Sequence, residues 1–299
     1  MSKTAAWFQA FRLRTLPLAF SSIFMSAFIA WKNGVFDEWI FVLTLLTTLF
    51  LQVLSNLAND YGDAKSGVDS MDREGPSRAV QAGLISASEM KSGIIICGSL
   101  SLISGVVLIL LSFQDNWALI LLFMLIGLSA IVAAVKYTMG KNPYGYAGLG
   151  DVFVLLFFGF VGVCGSYYLY AQTMDWSLIY PALSCGLLAV GVLNVNNIRD
   201  INSDRKAGKK SIPVRIGRQK AVLYHSLLLS GALLAGVLYM LDQGTSILSW
   251  LFLLVGPLLY LNLYAVKSKP LSDLDPNLKQ LALSTLLFVI LFGVGLLLS

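Results

Sequence analysis

The most informative shortage in this 299-residue sequence is charge. Only 12% of the residues are Asp, Glu, Lys or Arg, while 57% are hydrophobic and the mean hydropathy is +0.76. Soluble globular domains carry about 25% charged residues, so this composition argues against a solvated surface. Histidine is nearly absent, since His225 stands alone. A histidine-rich zinc site and a Ser-His-Asp triad therefore have little support.

Cysteine is also scarce. Cys97, Cys164 and Cys185 all fall inside apolar runs, and none forms a CxxC pair. This spacing predicts neither a disulfide framework nor a cysteine-ligated metal. We expect all three to be buried free thiols.

What the sequence does contain is a series of long apolar runs. A helix needs roughly 20 residues to cross the hydrocarbon of a bilayer, and nine runs approach or exceed that length. They lie near 16–31, 38–58, 91–113, 117–138, 149–172, 176–198, 219–241, 245–266 and 278–298. We therefore expect an all-α polytopic membrane protein, with about nine helices bundled into a single transmembrane domain over residues 1–299.

The basic residues sort to one side of these spans. If the spans alternate in direction, the N-terminus and the loops after spans 2, 4, 6 and 8 share one side. That side holds all 21 Lys and Arg residues except Lys32. Basic residues concentrate on cytoplasmic loops, so the N-terminus should be cytoplasmic and the C-terminus external. The same sorting accounts for the net charge of +5, which gives no support to nucleic-acid binding.

Acidic and amide side chains gather where two spans end on that cytoplasmic side. The two trios are Asn56, Asp60 and Asp63 at i, i+4 and i+7, and Asn196, Asp200 and Asp204 at i, i+4 and i+8. Such spacings predict that each trio occupies one helical face. Because the trios lie four spans apart, they favour two four-helix pseudo-repeats plus one further helix.

Carboxylates at the end of an apolar helix are costly, and ionisable residues in such places are functional hypotheses by default. Clustered carboxylate and amide oxygens suit a hard cation, and Mg²⁺ is the usual one where phosphate also binds. A Na⁺-coupled transporter competes with this interpretation, although its site would lie nearer the bilayer midplane. A CDP-alcohol phosphotransferase would need a D-G-x-x-A-R pattern, which the sequence lacks.

Basic residues follow both acidic helix ends. Arg78 follows the first, and the second is followed by a cluster from which we select Lys210 and Arg215. A Mg²⁺–diphosphate complex requires acidic side chains to bind the metal and, beside them, basic side chains to bind the phosphate oxygens. The sequence has both. The Gly- and Tyr-rich loop 136–151 and the stretch RLRTLPL (12–18) should meet the acids at the same membrane face.

The two acidic stretches, NDYGD at 59–63 and DINSD at 200–204, resemble the aspartate motifs of the UbiA-type membrane prenyltransferases. The resemblance covers essentially the whole chain, including nine spans with motifs after spans 2 and 6. RLRTLP, NLANDYGDAKSGVD, PYGYAGLGD and NNIRDINSDRKAGKKSIPVRIG are similar to the branch of that family that uses 1,4-dihydroxy-2-naphthoate.

The resemblance implies a UbiA-like bundle in the bacterial cytoplasmic membrane, compatible with a homo-oligomer. It implies transfer of a polyprenyl group from a polyprenyl diphosphate to 1,4-dihydroxy-2-naphthoate. Carbon dioxide and diphosphate would leave, giving demethylmenaquinol for menaquinone biosynthesis. The alternatives are a sister enzyme with 4-hydroxybenzoate, homogentisate or haem as acceptor and, with less support, the cation-coupled transporter.

The resemblance also implies roles for individual residues. The Mg²⁺ ligands would be Asn56, Asp60, Asp63, Asp69, Asn196, Asp200 and Asp204. The catalytic residues would be Asp60, Asp63, Asp200, Asp204, Lys136 and Tyr137. The substrate-binding residues would be Arg78, Lys210, Arg215, Asn59, Asn197, Tyr144 and Tyr146. Asp69 follows Asp63 by six positions rather than the four usual in the family, so its ligation is left open as direct or indirect.

Overall fold

The computed structural model describes residues 2–66, 78–243 and 246–299, and within these ranges the chain forms helices and no strands. Asp69 lies outside the described residues. The prediction of nine spans is confirmed for this part of the chain. The helical segments long and apolar enough to cross a bilayer are Lys3–Lys32, Glu38–Lys65, Ala87–Phe113, Trp117–Lys136, Gly150–Ala171, Trp176–Arg199, Ile212–Asp242, Ile247–Ser268 and Leu271–Leu297.

Within the described residues, four spans are single α-helices, and the other five are assembled from shorter pieces. The α-helices are α1 (Lys3–Phe11), α2 (Leu16–Lys32), α3 (Glu38–Lys65), α4 (Ala87–Phe113), α5 (Trp117–Lys136), α6 (Gly150–Val154), α7 (Ser166–Ala171), α8 (Ile179–Arg199), α9 (Ile201–Lys206), α10 (Ile212–Asp242), α11 (Gly256–Ser268) and α12 (Asp275–Leu297). A π-helical stretch, Leu155–Gly165, joins α6 to α7. Short 3₁₀ segments cover Leu13–Thr15, Trp176–Leu178, Ile247–Val255 and Leu271–Leu274.

Side-chain caps fix where several spans begin. The Asp37 carboxylate accepts hydrogen bonds from the backbone N–H groups of Trp39 and Ile40 at the start of α3. Ser86 and Glu89 form a capping box at the start of α4. Each cap satisfies N–H groups that have no partner within the helix, so the boundary is encoded locally.

The acidic ends of spans 2 and 6 differ from each other. Helix α3 continues to Lys65, which places the first trio on one helix as predicted. Helix α8 ends at Arg199, Asp200 adopts φ −91° and ψ 12°, and α9 begins at the next residue. The second trio is therefore divided between two helices, because the backbone turns at Asp200. Its i→i+4 hydrogen bonds nevertheless persist, since Asp200 N–H donates to Asn196 O and Asp204 N–H to Asp200 O.

Helix α8 lies at the centre of the bundle and is the most buried span, while α5 is the least buried and presents its apolar side chains outward. Helix α10 contains a break at Gly217 (φ 78°, ψ 162°), which only glycine tolerates readily. The helix begins at Ile212, and the apolar run predicted near 219 starts just after this break. The three cysteines are buried and free, as predicted.

Candidate active site

The two acidic helix ends open onto one cavity of about 450 Å³. Its polar lining includes Asn56, Asn59, Asp63, Arg78, Asn196, Asn197, Asp200, Asp204 and Lys209. The remaining wall is largely apolar and includes Phe153 on α6 together with Phe157 and Phe158 on the π-helical stretch. The cavity therefore has a charged end at the helix termini and an apolar end within the bundle.

Asp63 is the carboxylate with the most partners. It is buried and pairs with the Arg78 guanidinium. The Tyr146 hydroxyl donates to Asp63 Oδ1 at 2.5 Å, and Lys209 Nζ lies 3.6 Å from the same oxygen. Hydrogen bonds and two cations together compensate the loss of water around a buried carboxylate.

Lys209 connects the two acidic stretches. Its Nζ lies 3.3 Å from Asp204 Oδ1 as well as close to Asp63, and it sits 4.8 Å from the centre of the Tyr146 ring. Burial raises the pKa of Asp204, and the Lys209 ammonium opposes part of that rise. In this structure, one lysine therefore neutralises carboxylates from both halves of the chain.

Asp200 is held by its neighbour Arg199, whose side chain is only 1% exposed. Arg199 Nε donates to Asp200 Oδ1 at 2.9 Å, and Nη2 donates to Asp200 Oδ2 at 2.7 Å. Arg199 Nη1 also donates to Asp275 Oδ1 at 2.6 Å, at the start of α12. Such a two-pronged pair fixes the plane of the carboxylate as well as its position.

Asp60 is not among the residues that line the cavity. It is buried, and its Oδ2 accepts a hydrogen bond from the Ala79 backbone N–H at 3.2 Å. Its Oδ1 is buried without a hydrogen-bond partner. A buried oxygen without a partner lowers the stability of the fold, and a bound cation is one way to satisfy it.

The amide residues are held by backbone and hydroxyl groups. Asn56 Nδ2 donates to Phe11 O at 2.9 Å and to Thr15 Oγ1 at 3.1 Å, and its Oδ1 accepts a long hydrogen bond of 3.5 Å from Gln52 Nε2. Asn59 Oδ1 accepts a hydrogen bond from Thr138 Oγ1 at 3.2 Å. Asn197 is nearly buried in the cavity wall.

Three predicted tyrosines line the cavity together. Tyr144 stacks on Phe153 with ring centres 4.0 Å apart and meets Tyr137 edge-on at 5.3 Å. Burial raises the pKa of Tyr137, Tyr144 and Tyr146 well above the ordinary phenol value. All three are therefore neutral phenols at neutral pH, able to donate hydrogen bonds and to present aromatic faces.

Three predicted basic residues are not part of the cavity lining. Lys136 and Lys210 are exposed, and Arg215 donates to Ala147 O at 2.6 Å. The loop carrying Lys210 is pinned to the tyrosine loop, since Lys210 N–H donates to Tyr146 O at 2.8 Å. This contact directs Lys209, rather than Lys210, toward the acids.

Several lining or supporting residues escaped the sequence analysis as site residues. They are Arg12, Arg14, Arg199, Lys209 and Asp275. The Arg-Asp pair at 199–200 was a usable signal, because an arginine directly before a motif acid can neutralise it. Asp275 gave no signal, because its partner lies 76 positions away.

The donor set suits a hard divalent cation, since carboxylate and amide oxygens line the charged end. Within the described ranges, no three His, Cys, Asp or Glu side chains converge as a ready-made metal site. Instead, Asp63, Asp200 and Asp204 are each paired with a basic side chain. The unpartnered Asp60 Oδ1 fits the same chemistry, as does Asn56 Oδ1, which accepts one long hydrogen bond of 3.5 Å from Gln52 Nε2.

Comparisons with known proteins show the family and the fold. The model of the UbiA prenyltransferase family matches residues 19–283. The chain is 45% identical to the 1,4-dihydroxy-2-naphthoate octaprenyltransferase of Escherichia coli, over 100% of this chain and 97% of that protein. It is 46% identical to the enzyme of the same name from Haemophilus influenzae, over 99% and 97%. A solved UbiA homolog from Archaeoglobus fulgidus bound to GPP and Mg²⁺ has a TM-score of 0.62 and 18% identity, with coverage of 96% and 99%, and so shares the fold.

Proposed function

This chain belongs to the UbiA prenyltransferase family, and we propose that it prenylates 1,4-dihydroxy-2-naphthoate. The donor is a polyprenyl diphosphate, and the ring carboxylate and diphosphate are lost. The product is a demethylmenaquinol of the menaquinone pathway. Relatives that cover nearly the whole chain and carry that activity in their names support this acceptor over 4-hydroxybenzoate, homogentisate or haem.

One observation carries the proposal. The two acidic helix ends face one cavity, where Lys209 contacts both Asp63 and Asp204, and the cavity continues into an apolar, aromatic-lined space. A prenyl diphosphate has the same division, with a multiply charged head and a hydrocarbon tail. The charged end suits the diphosphate, and the apolar end suits the allylic part of the chain.

Mg²⁺ is the proposed cofactor, held by oxygens of Asn56, Asp60, Asp63, Asn196, Asp200 and Asp204, with Asp69 as a further candidate. When bound, it would neutralise the diphosphate and make it a better leaving group. The named homolog bound to GPP and Mg²⁺ supports this choice. Arg78 and Lys209 add positive charge at the same end of the cavity and would stabilise the negative charge that develops on the departing oxygen.

The apolar end would control the fate of the allylic cation. Breaking the C–O bond sends its electron pair to diphosphate, and the ring supplies the pair for the new C–C bond. Loss of carbon dioxide returns a pair to the ring. The faces of Tyr137, Tyr144 and Phe153 can stabilise the cation. Surrounding hydrocarbon keeps out water, which would otherwise trap it.

We place the whole chain, as one transmembrane domain, in the bacterial cytoplasmic membrane, with the N-terminus and acidic helix ends cytoplasmic and the C-terminus outside. The distribution of basic residues supports this orientation. Lys136, Lys210 and Arg215 stay predicted contacts of the substrates on the loops outside the cavity. Reporter fusions at each terminus test the orientation.

The test of function uses membranes that contain the protein, Mg²⁺, a polyprenyl diphosphate and carboxyl-labelled 1,4-dihydroxy-2-naphthoate. We expect release of the label together with formation of a lipid-soluble quinol. Absence of label release, with efficient prenylation of 4-hydroxybenzoate instead, would reject the naphthoate acceptor. Membranes that lack the protein provide the background.

The aspartates are tested in the same assay. Asp200→Ala and Asp60→Ala should each abolish turnover while the protein still inserts into the membrane. Asp273→Ala is the matched control, since Asp273 is exposed on the 3₁₀ segment before α12. Near-normal turnover in either motif variant would contradict the proposed cation site.

A further inference from the structure

A short turn in the N-terminal segment, the 3₁₀ segment Leu13–Thr15, contacts the first acidic stretch directly. It is linked to the second through Asp275 and Arg199. It lies between α1 and α2, and Arg12 directly before it has a left-handed backbone (φ 48°, ψ 52°). Non-glycine residues seldom adopt that conformation, and such outliers persist where the surroundings impose them. The contacts that Arg14 and Thr15 make show what this turn holds.

Thr15 reaches the first acidic stretch. Its Oγ1 accepts hydrogen bonds from Asn56 Nδ2 at 3.1 Å and from Gln52 Nε2 at 3.0 Å. It donates to Arg12 O at 2.9 Å, which closes the turn. Because Asn56 Nδ2 also donates to Phe11 O, this segment orients the amide group of a residue that lines the cavity.

Arg14 reaches the second acidic stretch through two further residues. Arg14 Nη1 donates to Asp275 Oδ2 at 2.7 Å, and Asp275 Oδ1 accepts from Arg199 Nη1 at 2.6 Å. Arg199 in turn holds both oxygens of Asp200 and donates to Asn196 Oδ1 at 2.9 Å. This relay of ion pairs therefore runs from Arg14 through Asp275, the first residue of α12, to Arg199 and Asp200 at the end of α8.

Arg199 uses only part of the binding capacity of Asp200. An ionised carboxylate has about four lone-pair sites, and Arg199 occupies one on each oxygen. This two-oxygen contact fixes the plane of the Asp200 carboxylate. Residues that hydrogen-bond to metal ligands set the orientation of those ligands, and their loss typically lowers metal affinity about 10- to 100-fold.

We propose that the Leu13–Thr15 turn is a positioning element that couples the two halves of the cation site. Thr15 orients Asn56 in the first half, and Arg14 orients Asp200 in the second through Asp275 and Arg199. The assignment of Mg²⁺ to these oxygens rests on the proposed function. The coupling itself rests on the hydrogen bonds above.

A purely structural network would make a different prediction. If these contacts only join α2, α8 and α12, breaking them lowers the melting midpoint but leaves the affinity for Mg²⁺ unchanged. If the turn orients the cation ligands, the concentration of Mg²⁺ that gives half-maximal stabilisation rises. This readout requires no turnover and no prenyl substrate.

The experiment uses the full-length protein in detergent and measures the melting midpoint against Mg²⁺ concentration. Arg14→Gln and Thr15→Val should each raise the half-saturating concentration about 10-fold, while Arg14→Lys and Thr15→Ser should recover most of it. Arg14 has a side chain that is 38% exposed, so its variants should fold. Asp275→Asn breaks the same relay from its other side and provides an independent measurement.

Two matched controls remove similar groups elsewhere. Arg218→Gln loses hydrogen bonds to the Val266 and Lys269 carbonyls, away from the acids. Thr285→Val loses a hydroxyl that donates to Leu281 O within α12. Neither control should change the half-saturating Mg²⁺ concentration.

The double variant Arg14→Gln/Thr15→Val tests the coupling. Because both side chains act through one turn, the combined increase should be smaller than the product of the single increases. Unchanged Mg²⁺ dependence in the single variants, or increases that multiply in the double variant, would overturn the proposal. A wild-type protein that Mg²⁺ does not stabilise at all would instead reject the cofactor in the proposed function.

Discussion

Replacing Lys209 with methionine is the sharpest test of the charge arrangement in the cavity. The side chain is only 15% exposed, and its ammonium lies 3.6 Å from Asp63 and 3.3 Å from Asp204. Methionine keeps most of the volume and removes the charge. We expect the metal-free protein to become less stable, because two buried carboxylates lose a shared counter-ion.

The contacts set the size of this effect. A unit charge pair at 3.3 Å attracts by about 5 kcal/mol at an effective dielectric constant of about 20, and desolvation offsets part of that gain. Removing one partner of a buried pair costs about 3–5 kcal/mol. Asp63 keeps Arg78, so the lower end applies. At about 2 °C per kcal/mol for a chain of this length, the melting midpoint should fall by about 6 °C.

The pH dependence of the deficit follows from Asp204. Burial raises its pKa and Lys209 lowers it, so the variant should have a higher Asp204 pKa than the wild type. A carboxyl pKa that lies above its unfolded value makes proton binding stabilise the folded state as the pH falls. The deficit of the variant should therefore shrink as the pH falls, and added Mg²⁺ should shrink it at constant pH.

The assay is thermal unfolding of the purified protein in detergent, with and without chelator, at a series of falling pH values. Lys267→Met is the control, since Lys267 is an exposed lysine at the end of α11. A variant as stable as the wild type would show that Lys209 does not neutralise the acids. A deficit that neither protons nor Mg²⁺ reduce would show that packing, rather than charge, was lost.

Three further outcomes are expected from the same structure. Tyr146→Phe removes the hydroxyl that donates to Asp63 at 2.5 Å, so turnover in the labelled-naphthoate assay should fall about 10-fold, with the protein still folded. Gly148→Ala should abolish turnover, because the new Cβ would lie 2.1 Å from Lys210 O and the backbone there has φ +82°. The control is Gly34→Ala, where φ is +71° but no atom lies within 4 Å. It should lower the free energy of unfolding by only about 1 kcal/mol in a melting experiment. Chelation of divalent cations should stop label release, and Mg²⁺ should restore it; release that continues in the chelator would contradict the proposed cofactor.

The spans and the acidic ends could be predicted from sequence because both depend on local patterns. Apolar runs of about 20 residues have one stable form in a bilayer, since helices satisfy their own backbone groups. The i, i+4, i+7 spacing of Asn56, Asp60 and Asp63 was enough to place them on one helix, α3. The pattern could not predict what holds the Asp60 carboxylate, because its Oδ2 accepts a hydrogen bond from the backbone N–H of Ala79, which lies 19 positions along the chain.

The basic residues show where local reasoning stops. Lys209 and Lys210 are adjacent and chemically identical, so sequence spacing cannot decide which one faces the acids. The choice depends on a hydrogen bond from Lys210 N–H to Tyr146 O and on the close approach that Gly148 permits. Arg199 is similar, because its second partner, Asp275, lies on the last helix. Both choices depend on contacts between distant parts of the chain.

The charge balance of the cavity connects these particulars to the proposed reaction. Each of Asp63, Asp200 and Asp204 is paired with a cation of the protein itself, so the carboxylates can stay buried without a metal. The pairs are not equivalent, however. Arg199 is locked among four acceptors in the protein interior, whereas Lys209 sits on a short loop and spans two carboxylates at longer distances. Lys209 is therefore the cation most easily exchanged, and its flexible stem would let it follow the acids or turn to a phosphate oxygen.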